Sequence, residues 1–263
     1  MARGLGTRMR NATSDVSLST DEDRVAATGV KALIPIDRPF LDYVLNNLAD
    51  AGYRRICLVI GPEHDELRRY YGEEVTYHRL QVTFAVQEQP RGTADAVVAA
   101  EAVVGSEPFL VINSDNYYPV EALRGLRTLA GPGLAVFSRT AMLRISNIDE
   151  DRLTKFAVVE TDALGNMIRV IEKPQPETLE KLVEPVGLSM NCWRFHQEIF
   201  NACRQIEASP RGEFEITDAA QYVIDKMGGC FRVLYCDDAV LDMSSRDDVA
   251  SVRSHLAGTP VHL

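Results

Sequence analysis

The sequence has no apolar run approaching the ~18–20 residues that a bilayer-spanning helix requires, so no membrane partner is expected. It has no block of basic residues. Its 28 lysines and arginines are outnumbered by 38 aspartates and glutamates, a net charge of -10. Backbone phosphates of nucleic acids need clustered cations, so this balance argues against a nucleic-acid partner. Cysteine is scarce and odd in number, five, with no C-x-x-C. These thiols read as reduced core residues rather than a disulfide frame or a zinc site. The five histidines (His64, His78, His196, His255, His262) are scattered and suggest no metal cluster. They read as structural or solvated. Arg3, Arg8 and Arg10 are not followed by an apolar stretch, so no signal peptide is expected and the cytoplasm is the expected location. There is no internal repeat and no low-complexity tract.

What remains is an ordinary globular composition: 263 residues, 46% apolar and 25% charged. That length accommodates one large α/β domain or two small ones. Short apolar segments (55–60, 80–87, 109–113) alternate with helix-length patterns (40–51, 63–71, 93–104, 120–129). Such alternation predicts a mostly parallel sheet with helices on both faces. Ligands of such sheets bind at the carboxyl ends of the strands, so residues just after a strand are the first to inspect.

From about residue 131 the pattern changes. Segments 133–139, 155–160, 167–172 and 186–195 read as strands joined by turns, an inserted and more antiparallel sheet. Helices are expected over 196–206, 216–227 and 246–256, with a strand over 231–236. Residues 11–27 read as a polar loop, long enough to be functional.

Seven short motifs follow one another. They are Gly4-Leu-Gly-Thr-Arg8-Met-Arg, Lys31-Ala-Leu-Ile-Pro with Arg38-Pro39, and Gln87-Glu-Gln-Pro-Arg-Gly92-Thr93-Ala-Asp-Ala. Then come Asn113-Ser114-Asp115-Asn116, Ile171-Glu172-Lys173-Pro174, Arg211-Gly-Glu-Phe-Glu-Ile-Thr-Asp218 and Val240-Leu-Asp242. Glycines let a backbone approach phosphates, amides donate to them, and arginine adds a two-pronged cation. In this order and spacing the set resembles the sugar-1-phosphate nucleotidylyltransferases, over nearly the whole chain. The resemblance implies a Rossmann-like doubly wound sheet with an inserted antiparallel sugar-binding subdomain. It implies one nucleotidyltransferase domain, with a nucleotide-binding half (1–130) and a sugar-binding half (131–263).

The implied reaction joins an NTP, UTP or dTTP by this resemblance, to a hexose-1-phosphate, giving an NDP-sugar and pyrophosphate. Both reactants are polyanions, so the task is charge neutralisation and alignment. Mg²⁺ is the implied cofactor, on Asp115 and Asp242. Arg8, Lys173 and Asp115 are the implied catalytic residues: Arg8 on the β/γ-phosphates and Lys173 on the sugar phosphate. Gly4, Gly6, Thr7, Gln87, Gly92 and Thr93 are the implied nucleotide-binding residues, with the Gln87 amide reading a base edge. Lys31, Glu172, Ala157 and Asn191 are implied on the substrate side, Lys31 as a phosphate-binding lysine. Glu172 and Lys173 are strand neighbours, so both serve one site only where the strand end twists or bulges. The resemblance also implies a possible homo-oligomer.

The chain departs from the family pattern in places. The strand that normally precedes the glycine loop is represented only by Met1-Ala2-Arg3, so the first strand is expected to be missing. The segment between Arg8 and Lys31 is long, which suggests an added lid or specificity loop. Ser114, Ala157 and Asn191 stand where glycines are common, and Met243-Ser244-Ser245 replaces T-G-T. Side chains at glycine positions narrow a pocket, so the sugar site is expected to differ from a standard glucose-1-phosphate site. Two other readings compete. One transfers the nucleotide to phosphocholine, recognised by an aromatic cage of Trp193 and Tyr117-Tyr118. The other is a catalytically idle nucleotide- or sugar-phosphate-binding regulatory module.

Overall fold

The computed structural model describes residues 1–3, 6–10, 18–172, 174 and 186–263. Strands β1 (Arg55–Ile60) and β2 (Gln81–Val86) pair in parallel, from Arg55↔Gln81 to Ile60↔Val86. A six-stranded sheet joins β3 (Phe109–Val111), β5 (Gly133–Ser138), β6 (Ala157–Thr161), β7 (Met167–Ile171), β8 (Gly187–Phe195) and β9 (Arg232–Cys236). Between them in sequence, β4 (Asn116–Tyr117) pairs antiparallel with β10 (Leu241–Asp242). The long strand β8 organises the second half: β3, β5 and β6 all lie antiparallel to it, while β5 runs parallel to β9. This is a Rossmann-like α/β architecture with the antiparallel part built around β8.

Helices α1 (Thr7–Arg10), α2 (Thr20–Thr28) and α3 (Phe40–Asp50) precede β1, and α4 (Asp65–Arg69) follows it. Helices α5 (Thr93–Ala99) and α6 (Glu101–Val104) lead to β3, and α7 (Val120–Thr128) follows β4. Helices α8 (Arg139–Ile145) and α9 (Glu150–Leu153) separate β5 from β6. Helices α10 (Glu198–Gln205) and α11 (Ile216–Met227) follow β8, and α12 (Arg246–Leu256) follows β10. Helix α3 forms because Phe40, Leu41, Val44, Leu45 and Leu48 recur at helical spacing, and all five are buried. Each such side chain contributes about 1.5–3 kcal/mol on burial. A second cluster packs α5, α10 and α11 on the sheet around Trp193, which stacks on Phe195 at 5.5 Å and meets Phe231 edge-on at 5.9 Å.

One expectation is corrected. The polar stretch read as loop over 11–27 contains most of helix α2. A capping box starts it: Ser19 N donates to Glu22 Oε2 at 2.7 Å and Glu22 N to Ser19 Oγ at 3.4 Å. Gly29, at φ 78°, ends it. Its buried face is only Glu22, Val25 and Ala26, too little apolar content to show as a periodic pattern. The first strand is missing as expected: residues 1–3 form no strand, yet they fill part of its place. Ala2 N donates to Val59 O at 2.9 Å, Met1 N to Ile112 O at 2.7 Å, and Ser114 N to Met1 O at 3.0 Å. Residues 1 and 2 thus bridge β1 and the segment after β3, and neighbouring backbone groups find partners there.

Candidate functional site

Three strand ends meet at one cleft of about 250 Å³: the loops after β1, β2 and β3, closed by residues 1–3 and 29–32. This is where an open α/β sheet takes its ligands. At its polar end Lys31 Nζ donates to Asp115 Oδ2 at 2.8 Å, with both side chains partly buried. Burial works against the Lys31 ammonium. The Asp115 carboxylate, its hydrogen bond and the more distant Asp242 outweigh that and raise the pKa above its ordinary value. Lys31 is therefore a fixed positive charge at the cleft. Arg8 lies close enough for its charge to oppose Lys31, and its side chain is exposed. Among the described residues Arg8 has no hydrogen-bond or ion-pair partner.

Asp115 has a second carboxylate beside it. Asp242 pairs with Asn116 across β4–β10, and Met243 N donates to Asp115 O at 2.8 Å. Burial first, and the Asp115 charge second, push the Asp242 carboxyl up from its ordinary range. Asp242 Oδ1 accepts from Asn116 Nδ2 at 2.9 Å; its Oδ2 accepts from Arg152 Nη2 at 2.6 Å and Ser244 Oγ at 2.7 Å. Arg152 also binds Asp248 Oδ1 at 2.5 Å, so one guanidinium holds two buried carboxylates. Two mutually repelling carboxylates, one just before β4 and one on its partner β10, are a donor set that suits a hard divalent cation, which takes one or two carboxylates and fills the rest with water and phosphate. Among the described residues no group of three or more acidic, histidine or cysteine side chains could hold a metal.

The β2 end supplies an amide with a fixed orientation. Gln87 is buried, and its Nε2 donates to Gly92 O at 3.0 Å and Asp95 Oδ2 at 2.8 Å. Both partners accept only, so the Gln87 carbonyl oxygen is the atom left over, as an acceptor. Gly92 lines the cleft at φ 114°, and a Cβ there would sit 2.5 Å from Phe214 O. Its glycine is required by that close backbone approach. Thr93 also lines the cleft, and its Oγ1 accepts from Ile216 N at 2.8 Å, capping α11. Gly6, at φ 59°, packs against Gly29, with a Cβ placed 2.3 Å from Gly29 O.

Of the residues implied on the substrate side, Lys31 lines the cleft, whereas Glu172, Ala157 and Asn191 lie outside its lining. Glu172 accepts from Thr217 Oγ1 at 3.0 Å, near the start of α11, and its charge contributes to raising the buried Glu215 carboxyl, after burial and Glu213. Ala157 is buried in β6 opposite Ser189. Asn191 sits at φ 54° in β8, where the β5–β8 register shifts. A left-handed bulge explains a glycine-like position, and asparagine tolerates it better than other side chains. Gly4 and Lys173 lie outside the described residues, as does the side chain of Thr7.

Two titratable cleft residues lie outside the motifs, Arg3 and His64, while Glu213 of the 211–218 motif also lines the cleft. Arg3 takes both Glu63 carboxylate oxygens at 3.2 Å and donates to Gln87 O, so it joins the β1 and β2 ends. His64 Nδ1 accepts from Gly61 N at 3.2 Å, which puts the proton of the neutral ring on Nε2. Burial lowers the His64 pKa below 6.5 against the pull of Glu63. Position was the available signal: His64 comes four residues after β1.

A Rossmann-like α/β sheet carrying a cation–carboxylate pair and a second carboxylate beyond its strand ends defines a nucleotide- and phosphate-handling protein. A family model described as nucleotidyl transferase matches residues 25–237, and the chain belongs to that family. The match takes in Lys31, Gln87, Asp115 and Glu172; Arg8 and Asp242 lie outside it. The chain is 30% identical over 226 residues to a glucose-1-phosphate thymidylyltransferase of Streptomyces antibioticus, covering 86% of this chain and 56% of that protein. It is 25% identical over 250 residues to the UTP–glucose-1-phosphate uridylyltransferase AglF of Haloferax volcanii, covering 94% and 91%. The low-salt glycan biosynthesis nucleotidyltransferase Agl11 of the same organism is 28% identical over 204 residues, covering 76% of this chain and 53% of Agl11. The chain thus spans about half the length of Agl11 and of the Streptomyces protein. A UDP-glucose pyrophosphorylase solved with UDP-glucose shares the fold, with a TM-score of 0.73, 18% identity, and 96% and 95% of the two chains covered. Among the described residues no helix is long and apolar enough to cross a membrane.

Proposed function

We propose that this chain transfers a nucleotidyl group from an NTP to a sugar-1-phosphate, in the cytoplasm. A phosphate oxygen of the sugar-1-phosphate forms a bond to the α-phosphorus. The bond from that phosphorus to the β-phosphate bridging oxygen breaks, and pyrophosphate leaves with the electron pair. Family membership supports this reading, and one observation carries it: Lys31 and Asp115 at the cleft with Asp242 on the adjoining strand. Lys31 neutralises phosphate charge, and Arg8, with no competing partner among the described residues, is available to the β/γ-phosphates. Asp115 and Asp242 would hold Mg²⁺, which when bound supplies charge neutralisation and alignment of triphosphate oxygens.

The Gln87 acceptor supports the base choice. An imide N3–H of uracil or thymine donates to it, whereas cytosine and adenine offer acceptors at the equivalent ring nitrogens. The N1–H of guanine donates there as well, so this acceptor disfavours CTP and ATP, and the choice of UTP or dTTP over GTP rests on the similarity to uridylyl- and thymidylyltransferases. The phosphocholine reading loses its cage: Trp193 and Tyr118 are fully buried, and Tyr118 OH donates to Met190 O at 2.6 Å. On the sugar side, Glu172 and the unglycine-like Ala157 and Asn191 support a sugar pocket narrower than that of a plain glucose-1-phosphate enzyme.

Pyrophosphate release tests the reading, with Mg²⁺, each of five NTPs and a panel of sugar-1-phosphates plus phosphocholine. Release that requires UTP or dTTP and one sugar-1-phosphate is the expected result. Folded protein that binds nucleotide but releases nothing from any pair would instead make the chain an idle binding module.

A further inference from the structure

A buried arginine outside the cleft reaches the short helix α1, which carries Arg8. Arg246 begins α12 and is 7% exposed. Its Nε donates to Met9 O at 2.9 Å, and its Nη1 pairs with Asp23 on α2. Further along α12, Arg253 pairs with Glu22 of the same helix. The Asp23 side chain is largely exposed, so the contact that defines Arg246 is the carbonyl of Met9, the residue next to Arg8. The Met9 side chain is fully buried, which anchors that backbone from its other side.

A second route runs through α2. Its C-cap Gly29 lies directly against Gly6, two residues before Arg8. Arg246 therefore bears on α1, and so on Arg8, both directly and through α2. It also follows Asp242 by four residues, in a corner fixed by Ser244 N and Ser245 N, which both donate to Asp248 Oδ2 at 3.0 Å and 2.7 Å. One short segment thus ties the second carboxylate to the phosphate-facing arginine.

We propose that Arg246 is a positioning residue for the triphosphate end of the nucleotide: it fixes the Met9 carbonyl and thereby aims Arg8, without touching substrate. The proposal rests on the functional reading above. Arginine suits the task because a planar fork serves a carbonyl and a carboxylate at once, while lysine, with one point charge, serves them incompletely. A residue that merely braced the fold would weaken both substrates alike. A residue acting through Arg8 affects the nucleotide alone, and only while Arg8 is present.

The test is a double-mutant cycle on full-length protein, read as UTP or dTTP affinity by direct binding and as KM for each substrate. Arg246→Ala is expected to weaken nucleotide binding about tenfold and to leave the sugar-1-phosphate KM within about twofold. Arg246→Lys is expected to recover part of the loss. In an Arg8→Ala background the same change is expected to add less than about twofold. Equal losses with and without Arg8, or equal losses on both substrates, would overturn the proposal. Should Arg246→Ala fail to fold, Arg246→Lys and Asp23→Ala carry the same readout, and unchanged nucleotide affinity in both would overturn it. Direct binding keeps this test separate from turnover: a wild-type chain that binds nucleotide without releasing pyrophosphate defeats the functional reading, not this one.

Discussion

The two carboxylates at the site are held on different terms. Asp115 follows a strand end, is partly open, and among the described residues has one ion-pair partner, Lys31. Asp242 is buried, and Arg152, Ser244 and Asn116 occupy its oxygens while Asn147 Nδ2 donates to its carbonyl at 2.7 Å. The Asp115 side is made by loops at the ends of β1, β2 and β3. The Asp242 side is clamped by residues of the α8–α9 segment, about ninety positions away in sequence. An open, singly paired carboxylate can exchange its partner for a ligand. A buried, multiply bonded one serves first to fix geometry.

That contrast can be broken most sharply at Arg152. Arg152→Met leaves Asp242 and Asp248 buried without their cation, and about 3–5 kcal/mol of stability is expected to be lost in urea unfolding. Adding Asp248→Asn should return part of it, and a loss below about 1 kcal/mol would show the clamp to be an exposed-type pair. On the cleft side, Gly92→Ala forces a Cβ against Phe214 O at an unfavourable φ of 114°. Thermal unfolding should register about 2–3 kcal/mol; no change would mean that the 92 and 214 backbones do not touch.

Smaller effects sharpen the picture. Asn191→Val places a β-branched residue at φ 54° and is expected to cost about 1–2 kcal/mol, with Asn191→Gly near neutral. If both variants behave alike in unfolding, the bulge is not left-handed. The smallest effect is a pH dependence from His64. Its folded pKa lies below 6.5, so the folded state binds fewer protons than the unfolded state between the two values. Stability is therefore full above pH 6.5 and falls as pH drops toward the lowered pKa. His64→Gln should flatten that slope; an unchanged slope would assign it to another group.

Much of the fold was legible because its signals are local. The apolar run Arg55–Ile60 is a strand, and Ile216–Met227 and Arg246–Leu256 are helices with the boundaries their patterns imply. Helix α2 was not legible, because its stability comes from caps and two arginines of α12 rather than from an apolar stripe. At the site, Gln87, Gly92 and Asp115 stood out because they follow strands. The Lys31–Asp115 contact joins residues 84 positions apart, and no spacing rule gives such a pairing. Arg152 and Arg246 were invisible for the same reason: an arginine in a polar segment looks solvated until the fold buries it against carboxylates from elsewhere.

The most direct test of the account is pyrophosphate release by wild type and Asp115→Ala, each shown to be folded, with Mg²⁺, UTP or dTTP and the preferred sugar-1-phosphate. The account predicts a loss in kcat on the order of a thousandfold. Turnover by Asp115→Ala within about twofold of wild type would contradict it, and would remove the Lys31–Asp115 pair from the chemistry.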